Sequence, residues 1–209
     1  MSKLAARSIL AGLAGLAMAG CAGPTLTLVR DPAQRFGGPG FSVQAPPGGD
    51  WYVVPPAPGR IHFTKKVGTG LVPTVYAAAW VIDVEARPTR AEDLVGFKER
   101  AIEQIRRREP DYAIVLRDLK IDRLLGAECV SWEQEEEQRN HPNPALRPLV
   151  LVTTTRGLDC LHPLDPRRVV TIGYSERRVR GTSSLLAPGQ PASAEGEAFV
   201  RSIRFTSLR

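Results

Sequence analysis

Cysteine, histidine and methionine are scarce in this chain: 3, 3 and 2 in 209 residues. A membrane-spanning helix needs about 20 consecutive apolar residues, and the run from Ile9 to Ala19 stops at 11. That argues against a permanent transmembrane anchor. No P-loop, no GxSxG and no HExxH is present, so the motifs that mark nucleotide, serine-hydrolase and zinc-protease chemistry are missing. The histidines, His62, His141 and His162, are scattered, and none has the close spacing of a zinc site. No metal and no cofactor is therefore expected. No internal repeat is visible.

What is present begins with a targeting pattern. The first seven residues carry Lys3 and Arg7 and no acid; an apolar stretch and small residues follow, and Cys21 ends the run. A basic start, a short apolar core and a small-residue exit are the parts of a secretory signal. Met18-Ala19-Gly20-Cys21 resembles the lipobox of bacterial lipoproteins, with Met18 where that family usually has leucine. The resemblance implies a diacylglycerol on the Cys21 thiol, removal of residues 1–20, and acylation (palmitate among the expected chains) of the new amine. Each buried CH₂ contributes about 0.8 kcal/mol, so several chains give a durable anchor in membrane lipid. The alternative is a plain secretory signal in which Cys21 is incidental. Ala22 stands where many inner-membrane lipoproteins have Asp. By that analogy the expected place is the outer membrane, facing the periplasm.

Removing 20 residues from 209 leaves 189, enough for one domain and a tether. The hydrophobic fraction is 43% and the charged fraction 24%, as in ordinary globular chains. Net charge is +6, or +4 without Lys3 and Arg7. The excess is arginine-heavy, at Arg106-Arg107-Arg108, Arg167-Arg168 and Arg177, Arg178 and Arg180. Arginine's planar fork suits phosphate and carboxylate, so the last three are a candidate anion-binding set; a solvated face is the plainer reading. An exported chain makes nucleic acid an improbable partner. A small anionic ligand or an envelope protein fits better.

Ala22 to Gly40 is rich in Gly and Pro without periodicity and reads as a tether. Short strands are expected at Phe41 to Gln44, Trp51 to Val54 and Arg60 to Lys65, and a longer buried one from Pro73 to Glu85. The best helix lies over Thr89 to Glu109, about 90–108 at its core, with Thr89 and Glu92 as a capping box. Leu94, Phe97, Ala101, Ile102 and Ile105 form its apolar stripe, and Pro110 ends it. Strands follow at Tyr112 to Ile121, Ala127 to Gln138, Leu149 to Thr155 and Val169 to Tyr174. Gly181 to Pro191 reads as a mobile loop, and a second helix, about 194–203, follows Ser193. The expected class is α+β: a central antiparallel sheet with one long and one C-terminal helix, in a single domain over residues 41–207.

With Cys21 lipidated, Cys129 and Cys160 remain, and an even remainder in an oxidising compartment suggests one disulfide. A hairpin of 127–138 with 149–156 places position 157 opposite Cys129, and Cys160 just beyond a Gly157-Leu158-Asp159 turn. The loop of about 32 residues would contribute roughly 3–4 kcal/mol. Cys160 and His162 could instead serve as nucleophile and base of a thiol enzyme or hydrolase. No catalytic spacing supports that, so no catalytic residue is assigned. The acids Glu133 to Glu137 read as a charged edge strand, and Trp51, Trp80 and Trp132 as core residues.

The segment Phe-Ser-Val-Gln-Ala-Pro from Phe41, with Trp51 soon after, and the closing Ser202-Ile203-Arg204-Phe205 look like the PsbP-like α/β sandwich over about residues 40–207. That resemblance implies binding and accessory roles rather than one chemistry. The whole chain also resembles proteobacterial lipoproteins, a likeness that carries no activity with it. The expectation is a lipid-anchored envelope protein with a non-enzymatic binding or accessory role.

Overall fold

Alternating apolar and polar residues build long antiparallel strands in this protein, seen here in a computed structural model that describes residues 26–55, 57–67, 74–83, 88, 90–109 and 111–207. In chain order come β1 (Thr27–Leu28), β2 (Arg35–Gly38), β3 (Phe41–Gln44), β4 (Tyr52–Val53), β5 (Arg60–Lys66) and β6 (Thr74–Asp83). Helix α1 (Ala91–Arg108) follows, then β7 (Tyr112–Leu124), β8 (Ala127–Gln138), β9 (Leu151–His162), β10 (Asp165–Val179), α2 (Pro191–Arg201) and β11 (Arg204–Phe205). Eight strands form one sheet in the order β1-β4-β5-β6-β10-β9-β8-β7, and β11-β3-β2 form a small second sheet. Helix α1 is the crossover. It leaves β6 in the middle of the sheet and delivers the chain to β7 at the far edge, from which β7 to β10 meander back.

The α+β class is corrected by these strands: the fold is mostly antiparallel β, 49% strand against 17% helix. The meander strands run 13, 12, 12 and 15 residues, because features that resemble strand ends lie inside them. Gly157 and Gly173 sit in mid-strand, where a Cβ would come within 2.7 Å of the Ile172 carbonyl oxygen and 2.8 Å of that of Arg156. Charged ends are held by facing charges. Glu133 accepts from Arg156 Nε at 2.8 Å, Glu135 lies 3.7 Å from Arg178, and Glu137 pairs with Arg180.

Further expectations change. Thr27–Leu28 pairs with β4 and Arg35–Gly38 with β3, so the described part of the supposed tether is built into the two sheets. The β8–β9 register places Cys129 opposite Cys160 itself, three positions from the expected partner, because β9 continues through Gly157 to His162. The segment 181–190 is pinned rather than loose: Leu186 is fully buried, its carbonyl accepts from Arg156 Nη1 at 3.0 Å, and Ser184 and the Leu185 amide donate to Glu176. Helix α2 spans Pro191–Arg201, ahead of the expected 194–203, with Pro191 in its first turn, where a missing N–H leaves no orphan donor. Arg90 is the N-cap of α1, and the expected cap Thr89 lies outside the described residues. The Arg90 amide donates to Asp93 Oδ2 at 3.3 Å, and the Ala91 amide donates to Glu128 Oε2 at 2.9 Å.

The large sheet is packed on both faces, unequally. On one face, α2 and the small sheet bury Phe41, Phe63, Ile172, Leu186, Phe199 and Ile203 together. Phe63 stacks edge-on with Phe36 and Phe199, centroids 5.0 and 5.8 Å apart. Helix α2 reaches the sheet at Gly196, where any side chain would overlap the Tyr174 ring. On the opposite face α1 closes only one end, packing Ala91 and Leu94 on Val130, Leu161 and Val169. Fully burying side chains of this size contributes about 1.5–3 kcal/mol each.

Candidate functional site

Past Leu94, the space between α1 and the sheet opens into a cleft of about 500 Å³. Strand register fixes its floor. Arg60, Trp80, Thr171 and Asp159 form one row across β5, β6, β10 and β9. The next row reads His62, Ala78, Gly173, Gly157 and Trp132. Then come Tyr76, Ser175, Thr155 and Gln134, followed by Thr74, Arg177, Thr153 and Glu136. The second row is a trough. Three positions with little or no side chain lie between an imidazole and an indole, and aromatic or hydroxyl side chains rise on either side. Helix α1 supplies the remaining wall through Phe97, Lys98, Ala101, Ile102 and Ile105. Ile105 is 39% exposed because it forms the rim rather than core.

Glycine is required beneath Trp132. A Cβ at Gly157 would stand 2.7 Å from Trp132 Cζ2. Over the same indole lies the Lys98 ammonium, 3.1 Å from the ring centroid and 3.8 Å from Asp159 Oδ2. Burial pushes the Lys98 amine below the usual lysine range, while Asp159 and Glu136 pull it back up. Glu136 is pushed above the usual carboxylate range by burial, opposed by a hydrogen bond from Gln134 Nε2 (2.7 Å to Oε1) and by Arg177 and Lys98. His62 is lowered, by burial first and Arg60 second, which favours a neutral imidazole. Two more cations lie over the aromatic walls: the Arg60 guanidinium 5.2 Å from Trp80 and that of Arg177 6.0 Å from Tyr76.

Four buried polar atoms in the cleft have no hydrogen-bond partner in the protein: Trp132 Nε1, Asp159 Oδ1, Thr171 Oγ1 and Arg177 Nε. Buried polar groups are normally satisfied, and leaving one unmade costs about 1–3 kcal/mol. Four in one cleft, of both donor and acceptor type, are the mark of a surface shaped for something other than packing. A second hollow of about 490 Å³ on the α2 face is lined by Asp118, Asp122, Glu133, Arg156, Tyr174 and Glu197. Its central arginine is already committed, Arg156 Nε donating to Glu133 at 2.8 Å and Nη1 to Leu186 O.

The residues singled out from sequence fall in separate places. Cys129 and Cys160 are joined by a disulfide, Cα atoms 4.0 Å apart, within the α2-side core. His162 is 2% exposed and engaged at both ring nitrogens: Nε2 lies 2.8 Å from the Gly40 carbonyl oxygen, and Nδ1 accepts from the Leu164 amide at 3.2 Å. The pair thus has no free thiol and no free base. Arg177, Arg178 and Arg180 do not form one anion site, because alternation along β10 separates them. Arg178 is held by Glu176 at 3.3 Å and Glu135 at 3.7 Å, Arg180 by Glu137, and only Arg177 lines the cleft. His62 lines the cleft, His141 accepts from the Asn143 amide in an exposed turn, and no metal-sized group of three His, Cys, Asp or Glu exists among the described residues. Trp51 is a core residue whose Nε1 donates to Glu195 at 3.0 Å, whereas Trp80 and Trp132 wall the cleft. Cys21 and residues 1–20 lie outside the described residues.

Residue type alone does not mark Lys98, Tyr76, Asp159 and Thr171. For the strand residues the signal is period-two: Tyr76-Ala78-Trp80, Thr153-Thr155 and Thr171-Gly173-Ser175 put small and polar residues where a buried face calls for Val or Ile, whereas Lys98 lies on a helix and carries no such mark.

No protein-family model matches this chain, and no curated protein does. Among solved structures the chain resembles, weakly, the solution structure of cyanobacterial PsbP (CyanoP) from Synechocystis sp. PCC 6803. The two share 13% identity over 93% of this chain and 98% of that one, with a TM-score of 0.47.

Proposed function

We propose that this chain is a lipid-anchored cell-envelope protein with a non-enzymatic role, and that its domain captures a small anionic organic ligand in the cleft beside α1. The observation that carries the reading is the convergence of four unpartnered buried polar atoms in one cleft. Its sign comes from three cations, Arg60, Lys98 and Arg177, against two acids, Asp159 and Glu136, one of them biased towards its protonated form by burial. Its shape comes from aromatic and aliphatic walls, which accept an apolar body. The occupied Cys160 thiol and the engaged His162 ring support binding over thiol catalysis. Anchoring rests on Met18-Ala19-Gly20-Cys21, and the outer membrane is favoured by Ala22.

Isothermal titration of the acylated chain in detergent micelles with 4-phenylbutyrate, an anion on an apolar ring, tests the ligand. Saturable binding that disappears in Ser175→Trp, which fills the cleft, is expected. Equal binding by Ser175→Trp, or none by either protein, would refute it. Intact mass of protein extracted from membranes tests the anchor: it should lack residues 1–20 and carry acyl groups on Cys21, and Cys21→Ser should leave the membrane fraction.

A further inference from the structure

Three of the cleft's four unpaired atoms lie at its two ends, with Trp132 Nε1 between them, and the division specifies more than an anion. At one end Asp159 and Thr171 are register partners on β9 and β10, 2% exposed each, with Asp159 Oδ1 and Thr171 Oγ1 unengaged. Lys98 occupies only the other oxygen of Asp159, at 3.8 Å. That end offers a carboxylate to a cationic donor. At the other end Arg177 Nε is unengaged, and the nearby acid Glu136 is bound by Gln134 at 2.7 Å. That end offers a guanidinium to an anion.

Thr171 and Arg177 are six residues apart on one strand, about 20 Å between Cα atoms at 3.3 Å per residue. The guanidinium leans back to within 6.0 Å of the Tyr76 ring, whose register partner is Ser175. The side chains themselves bridge several more ångströms, which leaves roughly 10 Å between the poles, about the length of three extended residues. Between them lies the trough of Ala78, Gly173 and Gly157, flat enough for an extended backbone, with Thr155 and Ser175 hydroxyls beside it.

We infer that the ligand is an elongated zwitterion, a short peptide of about three residues with free termini, its ammonium on Asp159 and Thr171 and its carboxylate on Arg177. This rests on the reading of the cleft as a ligand site and narrows it from anions in general to molecules charged at both ends. Each terminus would form a charge-assisted hydrogen bond in a partly desolvated site, and removing either should weaken binding by about ten-fold or more.

The test is calorimetry on the full acylated chain in detergent micelles with four probes: Ala-Ala-Ala, its N-acetylated form, its C-terminal amide, and 4-phenylbutyrate. The free tripeptide should bind, and either cap should weaken it about ten-fold. Arg177→Gln should abolish the amide penalty while keeping the acetyl penalty, and Asp159→Asn the reverse. The cap series on the unmodified protein stands alone if Asp159→Asn does not fold. Capped peptides binding within about two-fold of the free one would overturn the assignment. So would binding of 4-phenylbutyrate without Ala-Ala-Ala, which would leave the cleft an anion site. Failure of all four probes would remove both readings.

Discussion

Two buried acids on neighbouring strands, one on each face of the large sheet, have opposite fates. Glu176, on the α2 face, is fully buried and saturated: it accepts from Ser184 Oγ and the Leu185 amide and pairs with Arg178 Nε at 3.3 Å. Asp159, on the α1 face, is equally inaccessible, yet one oxygen meets Lys98 at 3.8 Å and the other meets nothing in the protein. The first is a braced structural carboxylate, which holds segment 181–190 in place. The second is held half-satisfied. The difference extends to whole faces: aromatic and aliphatic side chains interlock under α2, while beside α1 hydroxyls, cations and glycines occupy positions a core would fill with Val and Ile. One side of the sheet holds the fold, and most of the other leaves its polar groups unpacked.

The contrast breaks first where packing is densest. Phe199→Ala empties the contact between α2 and Phe63 and should lower stability by about 3–5 kcal/mol, read by urea unfolding. A loss under about 1 kcal/mol would show that α2 is not what closes that face. Next comes the bridge between Cys129 and Cys160, which closes a sequence separation of 31. Replacing both cysteines by alanine should reduce stability by roughly 3–4 kcal/mol in the chain-entropy model and leave cleft binding intact, since the bridge lies on the α2 side.

Smaller effects are expected on the α1 face. Burial raises the Glu136 pKa, so the folded state retains a proton that the unfolded chain releases. Stability is then highest below the ordinary glutamate range and falls as pH rises through the raised value. Glu136→Gln should remove that fall, raising the melting temperature at pH 7 relative to wild type and leaving it unchanged near pH 4; parallel pH profiles for the two proteins would reject the assignment. Smallest is Thr171→Val. Its buried hydroxyl has no partner to lose, so stability should stay level or rise by up to about 1 kcal/mol, whereas an equivalent polar deletion at Ser184, which binds Glu176, should destabilise.

The sequence made the antiparallel meander, the long helix and the facing of Cys129 with Cys160 partly legible, because alternation and helical spacing are local signals. It hid the small sheet, since Arg35–Gly38 and Arg204–Phe205 each gain a partner only through β3, which lies far from Arg204–Phe205 in the chain. It also hid strand length: cross-strand charge pairs such as Glu133 with Arg156 extend the hairpins past residues that look like breaks. The site was least legible. Lys98, Asp159, Thr171 and Arg177 come from four positions on three elements, and only strand register together with the packing of α1 brings them to one cleft. A basic cluster read along the chain kept Arg178 and Arg180 with Arg177, although alternation sends them to the other side of the sheet.

If the α1 face is shaped for recognition at little benefit to stability, Arg177→Gln should separate the two properties. Urea unfolding and titration with 4-phenylbutyrate should be run on the same preparations. Stability within about 0.5 kcal/mol of wild type, with affinity lower by about ten-fold, is the predicted result. Lost stability with unchanged affinity would mean that Arg177 braces the sheet, and that the cleft is a packing defect rather than a site.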